Sequence, residues 1–309
     1  MLPLQAQQAL EGWRQAAAPI VDKLEGRSEA DWPTVRQAYM DSLARLFPAP
    51  EGVDFSTRTL GGVPALHVGP EEAIEGRVLF YLHGGGYVHG GVDAYRGLAG
   101  RYALALRAEV LIPDYRQAPE HPFPVPLDDA FAAYRAVLDS GVDPRSLVLS
   151  GDSAGGAMVV TLMRKARDAG LPLPAAGVAI SPWANLTHSG ASASARDGLD
   201  PLCSTAFLNK LARTFLAGEL PTHPDASPVF APVHGLPPVL IQIGENEVML
   251  SDAIRLAGHL GESRVRTSLE VWPGMFHVWH LFAGLLPDAD QALRNAVRFL
   301  EDALQAGGR

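Results

Sequence analysis

The sequence predicts an α/β fold in which a mostly parallel sheet is covered by helices on both faces. Two observations carry that prediction. From about Val78 onward, short apolar runs alternate with stretches of helical periodicity, the rhythm of strand-helix-strand units. Glycine clusters also follow directly on two of those runs, at Gly84-Gly85-Gly86 and around Gly151, Gly155 and Gly156, where tight backbone turns leave a sheet. With 309 residues, 47% of them hydrophobic, the chain can build one large core or two small ones.

The elements follow in order. From about Leu4 to Phe47 apolar residues recur at three- and four-residue spacings, among them Leu10, Trp13, Val21 and Leu24, then Trp32, Val35, Tyr39 and Leu43. This is an amphipathic helical arm, too short to be stable unless it lies on something else. After Pro48-Ala-Pro50, Phe55–Leu60 and Val63–Val68 read as a hairpin around Gly61-Gly62. Val78–Leu82 is a continuous apolar run, as in a strand buried on both faces. Helix Tyr95–Leu106, strand Glu109–Pro113, helix Leu127–Leu138, strand Leu147–Ser150, helix Ala154–Ala169 and strand Ala176–Ile180 come next. The cluster Pro119–Pro126 is a rigid turn ahead of a helix. The rhythm breaks at Trp183–His223, which is rich in Ala and Ser and then helical at Thr205–Leu216. It resumes with strand Pro238–Ile243, helix Ser251–Leu260, strand Val265–Trp272 and a last helix near Ala289–Leu304. The expected division is cap helices over 1–47, core over 48–182, a cap insertion over 183–223 and the rest of the core over 224–309. The cap aromatics Trp13, Trp32, Trp183, Phe207 and Phe215 are candidates to line an apolar pocket.

Composition excludes several classes. Lys and Arg number 25 against 34 Asp and Glu, a net charge of −9 with 19% of residues charged. Neither a basic stripe for nucleic acid nor a disordered charged tail is present in that pattern. Cys203 is the one cysteine, which rules out an intramolecular disulfide and a cysteine zinc site, and reads as a small packing residue. The start MLPLQAQQALEGWRQ has no basic segment followed by an apolar run, and no apolar stretch is long enough to span a bilayer. A cytoplasmic protein acting on a neutral or apolar small molecule is expected, without nucleic acid and without a membrane span.

Gly151-Asp152-Ser153-Ala154-Gly155 fits G-x-S-x-G between a strand and a helix. Such a turn lifts the serine hydroxyl out at the carboxyl edge of a sheet, next to a helix N-terminus, and makes Ser153 a candidate nucleophile. His83-Gly84-Gly85-Gly86-Tyr87 follows the strand Val78–Leu82. Consecutive glycines there free backbone N–H groups to face a ligand, and neither a Gly-Lys-Ser/Thr nor a G-x-G-x-x-G phosphate signature is present. Gly85, Gly86 and the Ala154 N–H are candidate donors to a developing oxyanion. A serine nucleophile needs a base steadied by an acid. His277 sits just beyond the strand Val265–Trp272, whereas His188, His223 and His234 precede the last two strands and His259 and His280 fall within helical stretches. For the acid, Glu247 at the tip of the loop after Pro238–Ile243 is preferred over Asp252, which suits a helix first turn, and over Glu245. His277 and His280 lie three apart without a nearby acidic partner, so no metal is expected, and no cofactor.

Taken together, HGGGY, PDYRQAPEHPFPVPLDDAFAAY, GDSAGG, GENEVMLSD and GMFH resemble the hormone-sensitive-lipase-like branch of the α/β-hydrolases, bacterial carboxylesterases in particular. The resemblance runs from about Gly76 to the C-terminal end. It implies an α/β-hydrolase fold: a mostly parallel eight-stranded sheet flanked by helices, with a helical cap built from the N-terminal arm and the Trp183–His223 insertion. It further implies Ser153 as nucleophile, His277 as base, Gly85, Gly86 and Ala154 as oxyanion donors, and structural roles for His83, Asp114, Tyr115 and Arg116 near the glycine loop, which Asp152 helps orient. Many members of the branch carry Asp where Glu247 stands; Glu is longer by one methylene and can make the same bond to an imidazole. The branch also contains receptors that keep the fold and lack the histidine, and His277 is present here. The expected activity is hydrolysis of short- to medium-chain carboxylic esters through an acyl-enzyme. The alternatives are a lactone hydrolase or acyltransferase using the same groups, or a non-catalytic small-molecule binder. A homodimer through the edge strand Val265–Trp272 is implied by the same resemblance.

Overall fold

The computed structural model describes residues 2–307, so the outermost residues of the expected segments 1–47 and 224–309 lie outside it. Helices α1 (Leu4–Leu24) and α2 (Trp32–Leu46) form the N-terminal arm. Asp31 caps α2 by accepting the Thr34 N–H at 2.7 Å, ahead of Pro33 in the first turn. Then follow β1 (Val53–Leu60), β2 (Val63–Pro70), β3 (Val78–Leu82), α3 (Arg96–Leu106), β4 (Glu109–Pro113), α4 (Val125–Asp139), β5 (Leu147–Asp152), α5 (Ala154–Asp168) and β6 (Gly177–Ile180). The insertion holds a short helix, α6 (Ser192–Ala195), absent from the sequence expectation, and α7 (Thr205–Leu216). The chain closes with β7 (Val239–Gly244), α8 (Leu250–Glu262), β8 (Thr267–Trp272) and α9 (Pro287–Gly307).

The eight strands make one sheet in the order β1-β2-β4-β3-β5-β6-β7-β8. The hairpin strand β2 pairs antiparallel with β1 and with β4, and all later pairings are parallel. The parallel strands read as continuous apolar runs because both faces are covered. Along β3, Phe80 and Leu82 enter one core cluster with residues of α4, α5 and α8, and Leu79 and Tyr81 enter the other with residues of α3 and α9.

The strand order places the site. β4 lies on one side of β3 and β5 on the other, with Leu82 opposite Gly151. The loops leaving β3 and β5 therefore emerge side by side at the carboxyl edge, where open α/β sheets hold their ligands. β5 runs two residues past the expected Ser150, because Gly151 and Asp152 still pair with Ala179 and Ile180 of β6.

Candidate active site

Ser153 occupies the turn between β5 and α5 with φ 54° and ψ −118°, a strained backbone for a non-glycine residue. Neighbouring bonds hold it there: its N–H donates to the Ile180 carbonyl (2.9 Å), and its own carbonyl accepts from Trp183 N–H (2.9 Å) and Ala157 N–H (3.1 Å). Gly155 is required by close approach. A Cβ on it would lie 1.9 Å from the Leu82 carbonyl oxygen, so strand β3 could not pass the start of α5.

His277 lies in the loop between β8 and α9. Its Nε2 is 3.0 Å from the Ser153 hydroxyl oxygen and its Nδ1 is 2.9 Å from Glu247 Oε2. Glu247 is 0% exposed, and its other oxygen accepts the Ser181 hydroxyl (2.7 Å) and the Gly244 N–H (2.7 Å). A buried carboxylate with each oxygen bonded is a fixed one. Burial disfavours the charged form of His277. The neighbouring Cys203 and the Glu247 carboxylate outweigh it, and the imidazolium is held well above the ordinary histidine range. Of the competing acids, Asp252 sits in the first turn of α8, where Asn185 Nδ2 donates to it (3.3 Å). Glu245 accepts the Gly274 N–H (2.9 Å) on the exposed side of the loop. Neither bonds to His277. Nor does His280, whose Nε2 meets Gln242 Oε1 (2.9 Å).

The glycine loop after β3 is braced from beneath. Asp152 accepts Tyr81 OH (2.8 Å), Tyr95 OH (2.9 Å) and the Gly84 N–H (3.0 Å). His83 stacks on Tyr115 at 4.1 Å, and Tyr115 OH donates to the His83 carbonyl (2.7 Å). Arg116 forks onto Asp129 with bonds of 2.9 and 2.8 Å. Gly85 has φ 114°, and a Cβ there would fall 1.7 Å from the His89 carbonyl oxygen, so both the backbone angle and the space demand glycine. Among the described residues the N–H groups of Gly85, Gly86 and Ala154 donate to nothing.

A cavity of about 50 Å³ is lined by Gly85, Gly86, Ser153 and His277, with Trp13 and Tyr39 from the arm and Phe207 and Leu211 from α7. A groove of about 310 Å³ between Pro144, Pro238 and Phe299, one of several larger ones, lies at the opposite edge of the sheet and holds none of these groups. Of the five cap aromatics, Trp13 and Phe207 line the site cavity. Trp183 instead stacks on His188 (5.8 Å) and Phe215 on Tyr87 (3.9 Å) inside the core, and Trp32 carries the Arg36 guanidinium at 5.3 Å. No group of three or more metal-ligating side chains occurs among the described residues.

Three neighbours of His277 carry no sequence signal. Asp200 takes the His277 N–H on Oδ2 (3.0 Å) and the N–H groups of Leu202 (2.8 Å) and Cys203 (3.2 Å) on Oδ1, tying the insertion to the histidine loop. Burial pushes its pKa up to about 6. Ser181 accepts the Val278 N–H (3.2 Å) while donating to Glu247. Cys203, which reads in the sequence as packing, is buried and lines the same cavity as His277.

A family model described as the alpha/beta hydrolase fold matches residues 79–281. An acetyl-hydrolase of Streptomyces hygroscopicus is 43% identical over 249 residues, 81% of this chain and 83% of its own. An esterase of Acinetobacter venetianus is 30% identical over 268 residues, 86% and 88% of the two chains. Among solved structures, an esterase from the bacterial hormone-sensitive lipase family superposes with a TM-score of 0.90 at 36% identity, over 98% of this chain and 99% of that one. EstE5, soaked with p-nitrophenyl butyrate, gives 0.88 at 38% identity over the same shares. By its sheet, its motifs and these likenesses, the chain belongs to the α/β-hydrolases, in their bacterial hormone-sensitive-lipase-like branch.

Proposed function

We propose that this protein is a serine carboxylesterase hydrolysing short- to medium-chain carboxylic esters through an acyl-enzyme, with Ser153 as nucleophile, His277 as base and Glu247 as acid. The observation that carries the reading is the unbroken hydrogen-bonded line from the Ser153 hydroxyl through both nitrogens of His277 to Glu247, at 3.0 and 2.9 Å, beside three unpartnered backbone N–H groups. The similar proteins named acetyl-hydrolase and esterase support it, and the small cavity favours the short end of the range.

The chemistry follows from the geometry. Ser153 Oγ attacks the ester carbonyl carbon as its proton passes to His277 Nε2. Charge gathers on the former carbonyl oxygen, where the N–H groups of Gly85, Gly86 and Ala154 receive it; each such donor is worth about 3–4 kcal/mol. Glu247, already on Nδ1, steadies the imidazolium and fixes which nitrogen carries the proton. His277 then delivers the proton to the leaving alkoxide, and the alcohol departs. Water attacks the acyl-serine with His277 again as base, and collapse of the second intermediate releases the carboxylic acid and Ser153. No step calls for a metal or a cofactor.

In the same reading the cap comprises residues 1–47 and 183–223, since helices α1, α2 and α7 wall the cavity. No helix among the described residues is long and apolar enough to cross a membrane. A cytoplasmic enzyme fits the single unpaired cysteine. A homodimer paired along β8 fits the exposed Leu269 and Val271 of that free edge strand.

Ser153→Ala is the direct test. Turnover of p-nitrophenyl acetate should fall by on the order of 10⁵-fold, and a fluorophosphonate should label the wild type once, at Ser153, and the variant not at all. Full turnover by the variant, or labelling elsewhere, would remove Ser153 from the role.

A further inference from the structure

The site cavity is lined by several polar side chains, and nearly all of them are occupied. Ser153 and His277 face each other, the Trp13 indole donates to Tyr39 OH (2.8 Å), and Tyr95 OH donates to Asp152. His89 is different. It is 7% exposed and lines the same cavity; its Nδ1 is enclosed without any hydrogen-bond partner, and its Nε2, the ring nitrogen that is not enclosed, bonds to nothing among the described residues either. Its ring stands edge-on to Tyr39 at 5.0 Å and tilts against Phe207 at 6.1 Å. Phenylalanine would make those contacts equally well without the cost that a buried unpaired polar atom carries; the other enclosed unpaired side-chain atoms, among them His83 Nε2 and His280 Nδ1, belong to residues outside the cavity lining. The backbone of His89 belongs to the glycine loop: its N–H donates to the Gly85 carbonyl at 2.9 Å. The ring is thereby fixed relative to the groups that face the oxyanion.

We infer that His89 is a substrate-recognition residue whose ring hydrogen-bonds an oxygen or nitrogen carried by the ester close to its reacting carbonyl. The preferred substrates are then short esters bearing a hydroxyl, keto or amide group and not plain alkyl esters. The inference rests on the esterase reading and adds a substrate class to it. Burial, reinforced by the nearby Arg36 guanidinium, pushes the His89 pKa down to about 3. The ring is therefore neutral, and Nε2 can donate to or accept from a hydroxyl according to the tautomer. In a cavity of about 50 Å³, the recognised group must lie within a few atoms of the carbon under attack.

Two matched ester pairs test this on the full chain. p-Nitrophenyl 3-hydroxybutyrate against p-nitrophenyl butyrate places the polar group on the acyl side; glycerol monobutyrate against propyl butyrate places it on the alcohol side. With each rate divided by that ester's alkaline hydrolysis rate, the wild type should favour the polar member of at least one pair. His89→Phe should cut that kcat/KM preference about tenfold, the loss of one hydrogen bond, and His89→Leu gives a second variant should the first not fold. Labelling of Ser153 by a fluorophosphonate is measured in parallel. A wild type that labels but shows no polar preference in either pair, or a preference that survives both folded variants, overturns the assignment of His89 and leaves the esterase standing. A wild type that does not label overturns the esterase reading itself.

Discussion

Glu247 is held from three directions, by the Ser181 hydroxyl, the Gly244 N–H and the His277 ring, so its position is set before substrate arrives. In the proposed mechanism His277 has to be neutral to take the serine proton. Because its pKa is raised, the ring is protonated and inactive below that value, and kcat/KM should climb with pH through a limb lying above about 6.5, the ordinary histidine value. Glu247→Gln should lower kcat about 10⁴-fold by favouring the wrong tautomer. It should also move the limb to lower pH, since the carboxylate that favoured the imidazolium is gone. A pH-rate profile of both proteins checks the sign, and a limb that stays in place would show that Glu247 does not act on His277. Asp200 is placed to support the same loop through the His277 N–H. This part of the site is not legible in the sequence. Asp200 and Ser181 reach the histidine loop from segments without periodicity, and the Asp200 bond runs to a backbone group that every non-proline residue possesses.

At the scale of elements, the parallel strands are legible because burial on both faces writes them as unbroken apolar runs, and Ser153 and the glycine loop are legible because crowded turns at strand ends demand small residues. Strand ends are less so. β5 continues through Gly151 and Asp152, whose composition suggests a turn, because pairing with β6 is available there and overrides local preference. The cap is legible as helices but not as a surface, since which side of α7 faces the cavity depends on packing. That helix is capped by Ser204, which accepts the Phe207 N–H at 3.1 Å, and presents Leu211 over Gly86, where even an added Cβ would come within 2.6 Å of its side chain. Leu211 thus closes the cavity against longer chains. Leu211→Ala should raise the kcat/KM of p-nitrophenyl hexanoate relative to the acetate about tenfold or more, as each methylene admitted to an apolar pocket is worth about 1–3 kcal/mol. It should also lower Tm, because a buried leucine is truncated. An unchanged ratio would mean that another wall limits chain length.

Across the whole molecule, burial has left two opposed sets of titrating groups. It raises Asp152 and Asp200 to about 6 and Asp252 to about 7, and it lowers His83 to about 4 and His89 and His280 to about 3. The raised carboxylates bind more protons in the folded than in the unfolded chain between about pH 4, their ordinary value, and their folded pKa values, so their contribution to stability falls as pH rises through that window. The depressed histidines bind fewer protons folded than unfolded from about pH 6.5 down to their folded values, so theirs falls as pH drops. Over the shared window the slopes oppose each other, and stability should be nearly flat. Below about pH 4 the carboxylates are protonated in both states and only the histidines still act, so stability should fall steeply there. Asp252→Asn removes one carboxylate slope without touching His277, Glu247 or Ser153. Its Tm should therefore gain on that of the wild type between about pH 5 and pH 8, the range in which burying the charge begins to cost. Thermal melts of the two proteins across that range decide the matter: a Tm difference that stays constant would mean that Asp252 is charged in the folded chain throughout, held by Asn185 and the nearby Arg255 guanidinium against its burial.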